Sequence, residues 1–117
     1  MDKSIQDVLP LTETTLFILL SLSEEPRHGY AIMKSVLQLS KGRINLTAGT
    51  LYGAIKRLLG QDWIERIDDG DLVIDNPGLP RKAYQLTRRG RAILQAEVQR
   101  LQSVMQAVNL QVREEQL

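Results

Sequence analysis

Six apolar residues near the C-terminus, Leu94, Val98, Leu101, Met105, Val108 and Val112, follow one another at spacings of 4, 3, 4, 3 and 4. That alternation places them on one side of an α-helix, as a seam that packs on other helices. Thr87 precedes the run as a plausible N-cap, so the helix is expected from Arg88 toward Arg113, about 39 Å at 1.5 Å per residue. A chain of 117 residues forms one small body, which a helix of this length overhangs. Either part of the seam is covered by a second copy of the chain, or the stripe folds wholly onto its own domain. The first is the expectation taken: a body over 1–86 and a C-terminal dimerisation helix over 87–117, with those six residues as the interface.

Composition removes several chemistries. Cysteine is absent and His28 is the one histidine, so disulfides, thiolate catalysis, thiolate zinc sites and iron-sulfur ligation are excluded, and no metal or cofactor is expected. No nucleophile stands at motif spacing from a base and no glycine-rich phosphate loop occurs, so an enzyme is not expected. The longest apolar run near the N-terminus, Leu16 to Leu20, is far short of a membrane span. A soluble, cytoplasmic protein without a membrane partner is the expectation.

The net charge of +1 hides a pattern. Acids dominate Met1 to Glu25. From Pro26 to Gln61 there is no acid, against Arg27, Lys34, Lys41, Arg43, Lys56 and Arg57. Six acids crowd Asp62 to Asp75 around Arg66, and Asn76 to Ala96 is again acid-free, with Arg81, Lys82, Arg88, Arg89 and Arg91. Folded together, the two basic segments would make a basic face that the total conceals; held apart, each is solvated helix surface.

Periodicity supplies the elements. Thr12 reads as the cap of a first helix over Glu13 to Ser23, with Leu16, Leu19 and Leu20 at helical spacing and Pro26 beyond it. A second helix follows the turn Glu25-Pro26-Arg27-His28-Gly29, with Tyr30, Met33, Val36 and Leu37 as its apolar positions and Ile32 and Leu39 flanking them, and Lys41-Gly42 ends it near Ser40. Thr47 caps a third, whose buried face carries Leu51, Ala54, Ile55 and Leu58, with Gly60 as its terminal glycine; the opposite face carries Gly49, Thr50, Gly53, Lys56 and Arg57, with Tyr52 at the boundary. From Trp63 the period shortens. Trp63 to Ile67 and Arg81 to Leu86 read as two strands of a hairpin around a long acidic tip. Within the tip, Leu72-Val73-Ile74 either adds strand or packs back on the body. Trp63 is expected as a core plug at the root of the hairpin, and Tyr84 as packed beside Leu86.

The fold expected is therefore mainly α with a small β-hairpin: a winged helix-turn-helix plus a long C-terminal dimerisation helix. In that arrangement the third helix enters the major groove of double-stranded DNA, where small or polar outward side chains reach base edges and neighbouring cations meet phosphates. Thr50, Tyr52, Lys56 and Arg57 on the helix, and Arg81 and Lys82 on the returning strand of the wing, are the candidate contacts. Tyr52 either reaches a phosphate or caps the contact between the second and third helices. Arg88, Arg89 and Arg91 occupy a first helical turn, where the macrodipole disfavours cations, which suits a phosphate partner or solvated charge. His28 is either a structural turn residue or a pH sensor.

His28-Gly29-Tyr30, Gly49-Thr50-Leu51-Tyr52, Lys56-Arg57-Leu58-Leu59, Trp63-Ile64 and Arg81-Lys82-Ala83-Tyr84-Gln85-Leu86-Thr87-Arg88-Arg89-Gly90, in this order, resemble the PadR family of bacterial transcriptional regulators over about Leu11 to Met105. The resemblance implies a homodimeric DNA-binding protein, usually a repressor, whose C-terminal helix pairs with the partner subunit and often with its N-terminal helix. A single C-terminal helix resembles the small subgroup of that family, some of which stack flat aromatic drugs on a tryptophan of this helix; here the only tryptophan is Trp63. Gly53 stands where a longer polar residue is frequent, and the tip over 68–80 is longer and more acidic than is common. These departures motivate the competing reading, a winged-helix protein-interaction or ligand-sensing module with DNA binding lost. Any small-molecule effector is left unidentified.

Overall fold

The computed structural model describes residues 4–67 and 82–112, and threonine side chains start three of the four α-helices among them. Thr12 opens α1 (Glu13–Ser21), Thr47 opens α3 (Ala48–Gly60) and Thr87 opens α4 (Arg88–Gln111). Each hydroxyl accepts the amide three residues on, at 3.2, 3.1 and 2.9 Å, satisfying a donor that the first helical turn leaves without a carbonyl. The exception is α2 (Gly29–Leu39), whose N-cap His28 makes no side-chain cap. Its start is held from outside, because Arg27–His28 form a short strand β1. A single 3-10 turn, Ile5–Val8, precedes α1.

The sheet has three antiparallel strands in the order β1-β3-β2, with β2 at Ile64–Ile67 and β3 at Ala83–Leu86. The expected hairpin is present, with Ile64 opposite Leu86 and Ile67 opposite Ala83. The third strand is a correction: Arg27 pairs with Tyr84 and His28 with Ala83, turning the segment read as a turn into a sheet edge. Two residues are too few to display a period. With neighbours on both sides, β3 buries Ala83 and Tyr84 together as well as Leu86. The acidic tip over 68–80, including Leu72-Val73-Ile74, and Arg81 lie outside the described residues.

The core is aliphatic, as five aromatics in the chain require. Ile18, Leu19 and Leu22 from the α1 region, Ile32 and Val36 from α2, Leu51, Ile55 and Leu58 from α3, and Ile93 and Leu94 from α4 close around Trp63, Ile64 and Leu86. Trp63 and Tyr84 are buried, as expected; burial raises the Tyr84 phenol above its usual pKa, with Tyr52 nearby adding to the effect and Arg66 opposing it.

Three further details differ from expectation. First, α1 stops at Ser21 because the Ser21 and Ser23 hydroxyls donate to the carbonyls of Ile18 and Leu20, and the Ser21 carbonyl accepts from Arg27 Nε at 2.6 Å. Second, α2 is rotated: Ile32 and Val36 face in, while Tyr30 and Leu37 face solvent, with Lys34 over the Tyr30 ring. Third, Gly60 is the last residue of α3 as expected, but the left-handed conformation that follows the helix falls on Asp62, with φ of 62°.

Four groups join the wing root to α4. The Thr87 hydroxyl donates to the Asp62 carbonyl at 2.6 Å while capping α4, and the Thr87 amide donates to the Trp63 carbonyl at 3.1 Å. Gly90 lies so close that any Cβ there would collide with the same Trp63 carbonyl.

The seam divides along α4. Leu94 is only 6% exposed and belongs to the chain's own core, so its assignment to an interface between subunits is corrected. Glu97 is 1% exposed one turn further; its carboxylate accepts the Leu11 amide at 2.8 Å and two Arg100 donors at 2.5 and 3.2 Å. Val98 and Leu101 are half-buried, and Met105, Val108 and Val112 are exposed, joined by Val104 and Leu110. The buried face therefore runs Gly90, Ile93, Leu94, Glu97, a straight helical spacing that parts from the heptad once α4 passes the body.

Gly90→Ala is expected to lower unfolding free energy by about 1–3 kcal/mol, as overpacking does, read by urea denaturation; a wild-type midpoint would show that the Trp63 contact yields freely. Glu97 makes a pH-dependent contribution. The Arg100 hydrogen bond, with the Leu11 amide, holds its carboxyl below the ordinary 4.5 against the upward push of burial. That stability is fully present above about pH 4.5 and is lost as pH falls through the lower folded-state value. Glu97→Gln should be roughly 1–3 kcal/mol less stable at pH 7, and the gap between the two proteins should narrow by pH 3; a constant gap would remove the linkage.

Candidate nucleic-acid interface

The outward side of α3 is built by what it lacks. Leu51, Ala54, Ile55 and Leu58 point into the core, and at 100° per residue Gly49, Gly53, Lys56 and Gly60 share the opposite side. A Cβ added at Gly49, Gly53 or Gly60 would meet no atom within 4 Å. Internal packing therefore does not require these glycines, although Gly53, in the helix interior, disfavours the helix by about 1 kcal/mol relative to alanine. The surface they leave is shallow, with the backbone open to close approach and Lys56 rising from it.

The candidate contacts divide into groups. Thr50 and Lys56 are exposed on α3; the Thr50 hydroxyl receives a hydrogen bond from Thr47 at 2.9 Å, which orients it. Lys82 is exposed just before β3, and Arg81 lies outside the described residues. Tyr52 is 43% exposed but lies across the start of α2, where a Cβ on Gly29 would be 2.5 Å from its hydroxyl oxygen. Gly29 thus makes room for the tyrosine, and the structure shows the helix-to-helix contact of the two roles considered for it. Arg57 does not stand with Lys56: its Nη2 donates to the Thr15 hydroxyl of α1 at 2.9 Å.

Charge follows the same division. In the acid-free segment from Pro26 to Gln61, Arg27 is committed to the Ser21 carbonyl and sits 3.5 Å from Glu25, Arg43 pairs with Glu13, and Arg57 is on Thr15. Lys34, Lys41 and Lys56 stay at the surface. These arginines thus fasten α1 to the helix-turn-helix, while Arg43 and Arg57 stay exposed as the lysines do. In the first turn of α4, Arg91 donates to the Ser23 carbonyl at 3.3 Å, so part of that cluster ties α4 to the end of α1. Spacing did not single out Glu97 with Arg100 or Gly29 with Tyr52; the signal for the first was the i, i+3, i+4, i+7 run Gly90, Ile93, Leu94, Glu97.

Helix-turn-helix, three-stranded wing and overhanging helix are matched by known proteins. A sequence model described as the Transcriptional regulator PadR-like family matches residues 18–96. The chain belongs to the PadR-like family. Among solved structures, this PadR-like chain is similar to a PadR family transcription regulator from Clostridium difficile (24% identity, TM-score 0.67, 85% of this chain and 97% of that one). It is likewise similar to a PadR-like transcription factor from Bacteroides fragilis (28% identity, TM-score 0.63, 81% and 85%) and a PadR-like transcriptional regulator from Bacillus cereus (23% identity, TM-score 0.66, 93% and 95%). A curated relative, an uncharacterized 37.1 kDa protein in transposon TN4556 of Streptomyces fradiae, is 28% identical over 85 residues, and the match spans 22% of that protein's length. The family it belongs to is described as one of transcriptional regulators, and the fold is a winged helix-turn-helix. Among the described residues no helix is long and apolar enough to cross a membrane.

Because Gly49 and Gly53 are unnecessary to packing, Gly49→Ala and Gly53→Ala should each raise unfolding free energy, by up to about 1 kcal/mol, while weakening DNA binding. A denaturation curve paired with a mobility-shift titration reads both; stabilisation with unaltered DNA affinity would detach the glycine face from recognition.

Proposed function

We propose that this regulator is a homodimeric repressor that binds a pseudo-palindromic operator, with α3 in the major groove of each half-site. The observation that carries the reading is the outward face of α3, where glycines without a packing role flank Lys56. Thr50 would reach base edges, the backbone at Gly49 and Gly53 would approach the groove, and Lys56 on α3 and Lys82 with Arg81 on the wing would meet phosphates. Tyr52 would add a phosphate contact by leaving Gly29, and Arg57 would brace α3 on α1. The exposed seam from Leu101 to Val112 would pair with a second copy, fixing the two recognition helices about 34–36 Å apart. Repression would follow from operator occupancy excluding the transcription machinery, in the cytoplasm where a bacterial chromosome lies.

Selection of bound duplexes from a random pool should return half-sites about one helical turn apart. The log-log salt slope should shrink by about 1 in Lys56→Ala and again in Lys82→Ala, if each neutralises one phosphate. No enrichment, or binding indifferent to salt, would hand the fold to the protein-interaction reading. Met105 is 55% exposed, so Met105→Glu should yield monomers by sedimentation with the folded signal retained, and lose most operator affinity. Transcription in vitro should fall when protein is added to an operator-bearing template; a rise would reverse the sign of regulation.

A further inference from the structure

A major groove is bounded by a phosphate rim on each side, and Tyr52 and Lys82 serve one of them. Tyr52 lies across Gly29 at the start of α2, and Lys82 immediately precedes Ala83, which pairs with His28. Both therefore stand on the side of α3 that meets α2 and the wing. At 100° per residue Thr50, Arg57 and Gln61 share the other edge of α3. The Arg57 bond to the Thr15 hydroxyl turns that edge toward the first turn of α1, and Thr12, Thr15, Arg57 and Gln61 line one cleft there. The same turn of α1 carries Glu13, which pairs with Arg43 from the link between α2 and α3. An acid thus holds Arg43 beside the rim opposite Tyr52 and Lys82.

The two side chains of that pair are 63% and 49% exposed, so water and salt weaken it. A phosphate offers the guanidinium a two-pronged anionic acceptor instead. We propose that Arg43 is a further phosphate contact and that Glu13 is its intramolecular competitor, given up when DNA binds. Once Arg43 turns to phosphate, Glu13 is left unpaired beside the backbone. Loss of the ion pair then lowers affinity for every duplex, whatever its sequence. Thr15 is neutral and exerts no such competition on Arg57, which remains a brace. The proposal rests on the reading of α3 as a DNA-binding helix, and its test separates the two.

Phosphate contacts carry no sequence information, so the full chain is titrated with a random-sequence duplex in a mobility-shift assay. Arg43→Gln should weaken binding and shrink the log-log salt slope by about 1. Arg43→Lys, which keeps a cation without the fork, should retain the slope and lose part of the affinity; it serves if the first variant does not fold by circular dichroism. Glu13→Gln should tighten binding, and by about two- to fivefold more in the parent than in the Arg43→Gln background, the range that an exposed ion pair spans. Equal tightening in both backgrounds would make Glu13 a merely repelling surface acid and overturn the exchange. Parental affinity and slope in a folded Arg43→Gln would overturn it as well. Lys56→Ala separates the two failures: weaker binding there, with the Glu13 and Arg43 variants unchanged, removes the exchange alone, whereas a parent that binds no duplex removes the DNA reading and the exchange together.

Discussion

Everything about this architecture turns on the joint at Thr87. One hydroxyl caps α4 through the Gly90 amide and donates to the Asp62 carbonyl, while the Thr87 amide donates to the Trp63 carbonyl. The end of α3, the root of the wing and the start of α4 are thereby held within a few bonds of one another. Gly90 is the steric condition for the joint, because a side chain there would occupy the space of the Trp63 carbonyl. These bonds set the angle between α3 and α4. Backbone carbonyls gripping a buried cap hold it better than exposed ion pairs, which are weak and screened by salt.

The second anchor is electrostatic and works differently. Glu97 sits in the buried face of α4, where an isolated carboxylate would be strongly disfavoured, and it is compensated by Arg100 and by the Leu11 amide. Such a pair contributes little net stability relative to apolar packing, but leaving one member without the other is costly. Its consequence is positional: the chain entering α1 is pinned to α4 at one place. Arg57, reaching across to Thr15, then ties α3 to the same region. The N-terminal end of α1 is therefore braced from both α3 and α4.

Most of the fold was legible from side-chain chemistry. The threonine caps, the four-residue strands and the core of Leu51, Ile55, Leu58 and Trp63 all follow from local patterns that tertiary packing leaves intact. Illegible parts had non-local causes. Arg27 and His28 become a strand because Tyr84 and Ala83 come from far along the chain to pair with them. Tyr30 and Leu37 face outward because a helix with apolar residues on several sides offers two candidate faces, and α1 selects Ile32 and Val36. Leu94 looked like part of the same seam as Met105 because a heptad does not reveal where a helix leaves its own domain. Within the candidate site, Lys56 and Lys82 stand exposed where charge patterning put them, whereas Arg57 and Tyr52 are turned by a single hydroxyl and a single glycine that spacing could not weigh.

The balance of glycine against lysine on α3 carries the argument about what this surface is for. Gly53, inside this 13-residue helix, disfavours it by about 1 kcal/mol relative to alanine, a cost that falls off at Gly49 in the first turn and at Gly60, the last residue. Inside the chain nothing is gained in return, since each position opens onto space. Gly29 and Gly90, by contrast, are each required by a neighbour, Tyr52 in one case and the Trp63 carbonyl in the other. A lysine-bearing surface stripped of side chains suits a partner that comes close to the helix backbone, and the grooved, anionic face of a nucleic acid duplex has the shape and charge for the proposed contact.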